Sequence, residues 1–299
     1  MIELIKKANI DFISRRKTFI LASVIVIAVG LVSLIIKGGP LFSIDFEGGT
    51  LIQVRFEQGT QVENIRNQLS AIGYGDATIQ TFGAENEFLV RVKTSTKSET
   101  QIAEIRAAFA SINGANDYEI RRLETVGPKI GKELRGDALM AVLVAMLGIV
   151  VYISFRFKFV FAMGALAALA HDVLITLGLF SVLNIEVSLT VIAAFLFIVG
   201  YSLNDTIVVY DRIRENVKTK RRDKFMNIIN ASINDTLNRT VITSLTTIMV
   251  ALVLFFIGGE VIKPFSIALI IGLVVGTYSS IFIASPILIA YEDRLVEKQ

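Results

Sequence analysis

The chain has 299 residues, 53% of them hydrophobic, with no cysteine, one histidine and a formal net charge of +3. This composition places it in the membrane class, excludes disulfides and thiolate metal sites, and excludes a histidine-rich zinc site. The charge excess is too small to argue for a nucleic-acid partner, so the basic residues are informative through their positions.

Lys6, Lys7, Arg15, Arg16 and Lys17 precede an apolar run from Phe19 to Ile36, which is about long enough to span a bilayer. Lys37, Gly38, Gly39 and Pro40 follow, with no small-x-small cleavage pattern. Residues 18–36 therefore read as an uncleaved first transmembrane helix behind a cytoplasmic segment, 1–17. Residues 37–137 read as an extracytoplasmic α+β domain. Leu51–Phe56 alternates apolar and polar residues as a strand does. Val62–Ile72 has helical spacing, Ala77–Phe82 and Phe88–Lys93 are short strands joined through Gly83–Glu87, and Tyr118–Val126 is a last strand. Ser98–Phe109 is a helix with Ser98 as its N-cap and Ile102, Ile105 and Phe109 on one face. The order βαββαβ predicts a ferredoxin-like sheet of four strands with two helices on one face. No set of acids, hydroxyls and bases in it suggests catalysis, so it reads as a binding or mechanical module. Gly127, Pro128 and Gly131 punctuate the return to the membrane, and Gly136–Asp137 ends the outer segment.

Further apolar runs cover about Ala138–Phe155, Phe159–Val182, Ser188–Tyr210, Thr240–Ile257 and Phe265–Ala290, each long enough to cross a membrane. The expected architecture is an α-helical integral membrane protein with six transmembrane helices, the last five in a membrane domain, 138–290. Arg156 and Lys158 follow the second span, and Arg212, Arg214, Lys218, Lys220, Arg221, Arg222 and Lys224 follow the fourth. The opposite loops are poor in Lys and Arg, so the termini and basic loops are expected on the cytoplasmic side. That includes the basic segment 211–238 and the tail 291–299. Within the basic segment, Phe225, Ile228, Ile229, Ile233 and Leu237 approach helical spacing, which predicts an amphipathic helix over Asp223–Asn238 at the membrane interface.

Polar groups inside the apolar runs are the functional candidates. Asp205 lies about 25 Å along the fourth span, at a depth where an acid costs roughly 2.5–3.5 kcal/mol on insertion scales. Helical spacing puts Tyr201, Asn204, Asp205, Val208 and Arg212 on one stripe. Arg239 opens the fifth span, on a stripe with Thr236, Thr240, Thr243 and Thr247, and is expected near Asp205 directly or through water. Asp172 lies near the midplane of the third span beside His171; adjacent residues point about 100° apart on a helix, so the two need not share a partner. Asp172 is the stronger candidate, His171 reading first as a packed, hydrogen-bonded side chain. A carboxyl near a movable arginine takes up and releases protons as the distance changes, so the pattern suits proton coupling.

At these residues a family resemblance emerges. The motifs are Asp45–Thr50 (DFEGGT), Val126-Gly127-Pro128 with Gly131, Glu133 and Leu134, His171-Asp172, Gly200–Thr206 (GYSLNDT), Asp211–Asn216 (DRIREN) and Asn238-Arg239-Thr240. Across nearly the whole chain the sequence resembles the SecF family, membrane subunits of the bacterial SecDF auxiliary complex in the RND superfamily. The resemblance implies half of a pseudosymmetric twelve-helix unit, with SecD as obligate partner. It also implies a role beside the SecYEG channel and the SecA ATPase, with YajC or YidC as further neighbours and unfolded preprotein and membrane lipids as contacts. It implies no cofactor and no enzyme activity, with a proton gradient as the energy source. The proton-carrying acid and arginine fall on Asp205 and Arg239, with Asp172 as a further coupling acid. Asn204, Tyr201, His171, Asp211 and Arg212 support them.

Other classes fit less well. An intramembrane aspartyl protease would use Tyr210-Asp211, but the companion Gly-x-Gly-Asp does not occur, and Asp211 lies at the basic edge. A proton-driven RND exporter would carry a larger outer domain. A translocon scaffold that moves no protons shares every motif and is separable only by a coupling measurement.

Overall fold

The computed structural model describes residues 9–83, 86–93, 99–113, 117–220 and 222–292. The expected cap Ser98, the basic residues Lys6, Lys7 and Arg221, and the tail beyond residue 292 lie outside them. In chain order the elements are α1 (Arg16–Ile36), α2 (Ile44–Glu47), β1 (Gly49–Phe56), α3 (Val62–Ala71), β2 (Thr78–Thr81), β3 (Glu87–Val92), α4 (Glu99–Asn113), β4 (Tyr118–Val126), α5 (Pro128–Arg156), α6 (Phe159–Val182), α7 (Leu189–Thr219), α8 (Phe225–Ile257) and α9 (Lys263–Ser279). A π-helical turn (Ser280–Ala284), one short α-turn (α10, Ser285–Ile287) and a 3-10 turn (Leu288–Tyr291) complete the last helical run. Among the described residues six helices are long and apolar enough to cross a membrane: α1, α5, α6, α7, α8 and Lys263–Tyr291. The chain divides into two compact units, Phe42–Met140 and the remainder.

In the smaller unit the sheet order is β2-β3-β1-β4, with every neighbouring pair antiparallel. Ile52, Val54 and Phe56 alternate inward along β1, and Ile65, Leu69, Ile105 and Phe109 from α3 and α4 close over them in one core. Phe56 meets Phe109 edge to face at 6.1 Å, a geometry that ring quadrupoles favour. The opposite side of β3 is polar: buried Glu87 accepts from Gln53 at 2.6 Å, and Arg91 reaches the Phe42 carbonyl at 3.2 Å. The sheet has two outer strands, the short β2 and the nine-residue β4. At its start Gly48 has φ +76 and a Cβ on Gly49 would stand 2.7 Å from the Val92 carbonyl oxygen. The paired glycines thus allow a sharp turn and close strand approach together.

Gly131 and Gly136 lie inside α5 rather than in a loop. Pro128 begins that helix, where its missing N–H is not needed, so the helix starts ten residues before its apolar stretch.

In the larger unit α6 runs over the expected residues, and Ser188 caps α7 by accepting the Val191 amide at 3.3 Å. Helices α1 and α6 touch through glycines: a Cβ on Gly30 would lie 2.7 Å from Gly178 Cα. The expected interfacial helix over Asp223–Asn238 does not exist as a separate element. It is the first half of α8, and Phe225, Ile228, Ile229, Ile233 and Leu237 are buried in the bundle. Asn230 and Asn234 hold the N-terminal segment against it, accepting the Phe12 and Ile10 amides at 2.9 Å each and donating to the Ile10 carbonyl. No proline or glycine lies between Phe225 and Ile257, so nothing stops the helix at the change from amphipathic to apolar character.

Candidate functional site

The site grows from α6, α7, α8 and the end of α9. Gly276 lets α9 approach α7 closely, since a Cβ there would stand 3.0 Å from Ser202 Cβ. Pro286 has no N–H to give the preceding turn and crowds the carbonyl side of the helix. Just before it the backbone widens into the π-helical turn, where Ser285 Oγ donates to the Ser280 carbonyl at 2.7 Å. Such a turn often accompanies a functional site.

Asp172 on α6 is 1% exposed. Its Oδ2 accepts Ser202 Oγ from α7 at 2.6 Å and Ser279 Oγ from α9 at 2.9 Å. Its Oδ1 meets His171 Nδ1 at 2.9 Å, and His171 Nε2 meets Ser23 Oγ of α1 at 3.0 Å. The Tyr278 ring stacks on His171 with centroids 5.7 Å apart, and the Tyr278 hydroxyl donates to the Phe19 carbonyl at 2.6 Å. His171 and Asp172 bond to each other, and their remaining partners differ, Ser23 for the imidazole and Ser202 and Ser279 for the carboxylate. Their backbones diverge by about 100°, but the imidazole reaches back across that angle.

Asp205 on α7 is 6% exposed. Oδ1 accepts from Thr240 on α8, and Oδ2 accepts from Ser280 at 2.6 Å. Arg239 is placed differently from expectation. It lies well inside α8 rather than at its start, and its side chain is exposed. Among the described residues it has no acid within ion-pair distance. Thr240, one residue on, faces the acid instead. Of the threonines on that stripe, Thr236, Thr243 and Thr247 bond to carbonyls of their own helix.

The stripe expected on α7 divides. Asp205 faces inward, Asn204 is exposed, and Tyr201 is half-buried with its ring stacked on Phe197 at 6.1 Å. The Tyr201 hydroxyl is buried without a hydrogen-bond partner among the described residues. Arg212 and Asp211 stand apart from the acids. Arg212 bridges Asp235 and Glu215 at 2.8 Å each, and Asp211 faces Arg156 at 3.3 Å and Arg214 at 3.2 Å. Among the described residues no three His, Asp or Glu side chains gather as a metal site.

Ser23, Tyr278, Ser279 and Ser280 are not among the candidates drawn from the sequence, and Ser202 enters there only within the Gly200–Thr206 motif. The available signal is the pair Ser279-Ser280 followed by Ser285-Pro286 in an otherwise apolar run. Chemically the hydroxyls are versatile: each can donate to a carboxylate or accept from a carboxylic acid by rotating its hydrogen. Both protonation states of Asp172 and Asp205 can be satisfied without moving a helix.

This arrangement has relatives. Residues 105–294 match the family described as protein export membrane protein SecD/SecF, C-terminal, and residues 34–60 match the SecD/SecF GG motif. The chain belongs to the SecD/SecF family. It is 46% identical over 289 residues to the protein translocase subunit SecF of Calditerrivibrio nitroreducens, covering 95% of each chain. It is 48% identical over 289 residues to that of Magnetococcus marinus, covering 95% of this chain and 93% of the relative. Among solved structures it resembles SecDF, a translocon-associated membrane protein from Thermus thermophilus, with TM-score 0.85 and 41% identity over 95% of this chain. The chain spans 39% of that solved chain. The GG-motif match takes in the Gly48-Gly49 turn described above, and the SecD/SecF C-terminal match contains Asp172 and Asp205. A SecF-like role in protein export follows from this membership.

Proposed function

We propose that the chain is the SecF half of a proton-driven export device, paired with SecD. The observation that carries the proton reading is the setting of Asp205: a buried acid on an apolar helix, held by two hydroxyls from two other helices, with a cation nearby but out of contact. An acid so placed is expensive as a structural element and well suited to gaining and losing a proton. When Asp205 is ionised, Thr240 and Ser280 donate to it; when it is protonated, one of them accepts. Asp172 sits in a similar hydroxyl cradle, and Ser279-Ser280 connects the two.

The six apolar helices span the cytoplasmic membrane, with the basic ends of α5, α7 and α8 and both termini on the cytoplasmic side and the sheet domain on the outer side. The sheet order and antiparallel pairing support a ferredoxin-like reading of that domain. Its sequence suggests no catalytic constellation, and the chain is read as a non-enzyme that uses the proton gradient and no cofactor. Exposed Arg239 and Asn204, on helices that cross the bilayer, need polar partners; a second six-helix half supplied by SecD meets that need. SecYEG, SecA, YajC or YidC and unfolded preprotein are the remaining proposed contacts.

The test is preprotein translocation into vesicles, with and without a proton gradient, for the wild type and Asp205→Asn in complex with SecD. Loss of the gradient-dependent part with intact complex supports the reading. Full gradient stimulation in the variant returns Asp205 to a structural role.

A further inference from the structure

Away from the acids, the ends of α5 and α7 and the start of α6 enclose a cavity of about 350 Å³. Its lining is unusual for a helical bundle: Arg156, Lys158, Arg214 and Lys218 share it with Phe157 and Phe225. Phe157 and Phe225 are buried members of that lining. Arg156 and Arg214 stand over the Phe157 ring at 5.0 and 5.2 Å. Asp211 lies between these two guanidiniums and offsets one positive charge among Arg156, Arg214 and Lys218. The cavity therefore keeps a net positive lining beside aromatic rings.

Two exposed phenylalanines stand at or next to the lining. Phe155, also in the lining, is 89% exposed, and Phe159 at the start of α6 is 62% exposed. Both sit where helices apolar enough to cross a membrane end or begin. An occupant must satisfy two conditions together: an anionic group for the cations, and hydrocarbon beside the phenylalanines. A soluble phosphate meets only the first. An acidic peptide would leave Phe155 and Phe159 uncovered.

We infer that this cavity binds the headgroup of an anionic phospholipid, its phosphate among Arg156, Arg214 and Lys218 and its acyl chains along Phe155 and Phe159. Basic cavities between membrane helices recognise such headgroups, and guanidinium groups suit a phosphate's geometry. The inference rests on the membrane-spanning reading of these helices and not on proton coupling or export.

The experiment uses the full chain in complex with its partner, purified in mild detergent, with retained lipid counted by native mass spectrometry. The probes are phosphatidylglycerol and phosphatidylcholine of the same chain length. The wild type should retain phosphatidylglycerol and not phosphatidylcholine. Arg214→Gln with Lys218→Gln should reduce retention about tenfold or more, the effect of losing two basic groups at an anionic headgroup. Arg222→Gln with Lys224→Gln removes two exposed charges from the α7–α8 connection outside the cavity and should leave retention unchanged. Equal loss in both double variants would mean diffuse surface attraction, and equal retention of the two lipids would mean no headgroup site; either overturns the inference. Displacement by millimolar glycerol phosphate would make the site one for soluble phosphate, and displacement by an acidic peptide would make it a peptide site. Complex abundance and melting temperature, read in parallel, identify a variant that fails to fold, and Lys218→Gln alone then serves, with a smaller loss expected. Because no export is measured, failure here leaves the proton reading untouched, and the reverse also holds.

Discussion

Ser279 and Ser280 are consecutive residues that donate to different buried acids, Ser279 to Asp172 at 2.9 Å and Ser280 to Asp205 at 2.6 Å. One carboxylate belongs to α6 and the other to α7, so any turn or slide at the end of α9 alters the donors of both acids together. Removing one donor from a buried acid costs about 1–3 kcal/mol. Ser279→Ala and Ser280→Ala should each lower the melting temperature of the purified complex by a few degrees and depress gradient-dependent export. Thr replacements, which keep the hydroxyl, should restore most of both. If Ala and Thr behave alike, the hydroxyls are not what matters.

Thr240 and Thr243 lie on the same helix and differ in what they bond. Thr240 reaches Asp205, whereas Thr243 returns to the Arg239 carbonyl of its own helix. Thr240→Val should therefore lose about 1–3 kcal/mol and impair export, and Thr243→Val should leave both nearly unchanged. Thermal unfolding and vesicle export on the pair of variants check this, and matching losses in the two would contradict the geometry.

On the proposed proton reading, Arg239 acts on Asp205 through its charge. Asp205→Asn removes the titrating group while keeping its shape and hydrogen-bonding capacity, and Arg239→Met removes the neighbouring cation. Each should abolish the gradient-dependent part of export, and the double variant should be little worse than either, as for residues acting as one unit. Additive losses would show that the two act separately.

The α1–α6 contact depends on two glycines. Gly30→Ala or Gly178→Ala places a methyl against backbone at 2.7 or 2.9 Å, where no flexible side chain can yield. Overpacking of this kind costs about 1–3 kcal/mol. Gly148→Ala on α5 meets nothing within 4 Å and should be neutral or stabilising by up to about 1 kcal/mol. Thermal melts of the three variants should separate accordingly.

Much of the fold is legible in the sequence because apolar runs and turn signals coincide at the element ends. α6 begins and ends where its apolar run does, and Ser188 caps the next helix as a serine before an apolar run should. Legibility fails where a helix outlasts its apolar stretch. α5 starts at Pro128, α7 continues to Thr219 and α8 begins at Phe225, because backbone hydrogen bonding continues through polar residues unless something stops it. In the site, the acids stand out because charge in an apolar run is costly. Their partners do not. A serine in such a run is cheap when it bonds to its own helix, so Ser202, Ser279 and Ser280 look like any others until the helices that bring them to Asp172 and Asp205 are in place. Arg239 stands out as a charge, whereas the hydrogen bond to Asp205 comes from Thr240 beside it.

The outer strand β4 bears on how the sheet domain avoids sticking to other chains. A nine-residue strand that is outermost among the described strands is long enough to accept a further strand, the route to aggregation when unfolded polypeptide is near. Along β4, Glu119, Arg121, Arg122 and Glu124 carry charge, with Arg122 paired to Glu124 at 2.6 Å and Arg121 within 3.6 Å of both Glu119 and Glu87. An incoming apolar segment would have to lie against those charges. The other outer strand, β2, offers four residues, too few to hold an added strand firmly. The domain can stand beside extended chains without becoming a template for them.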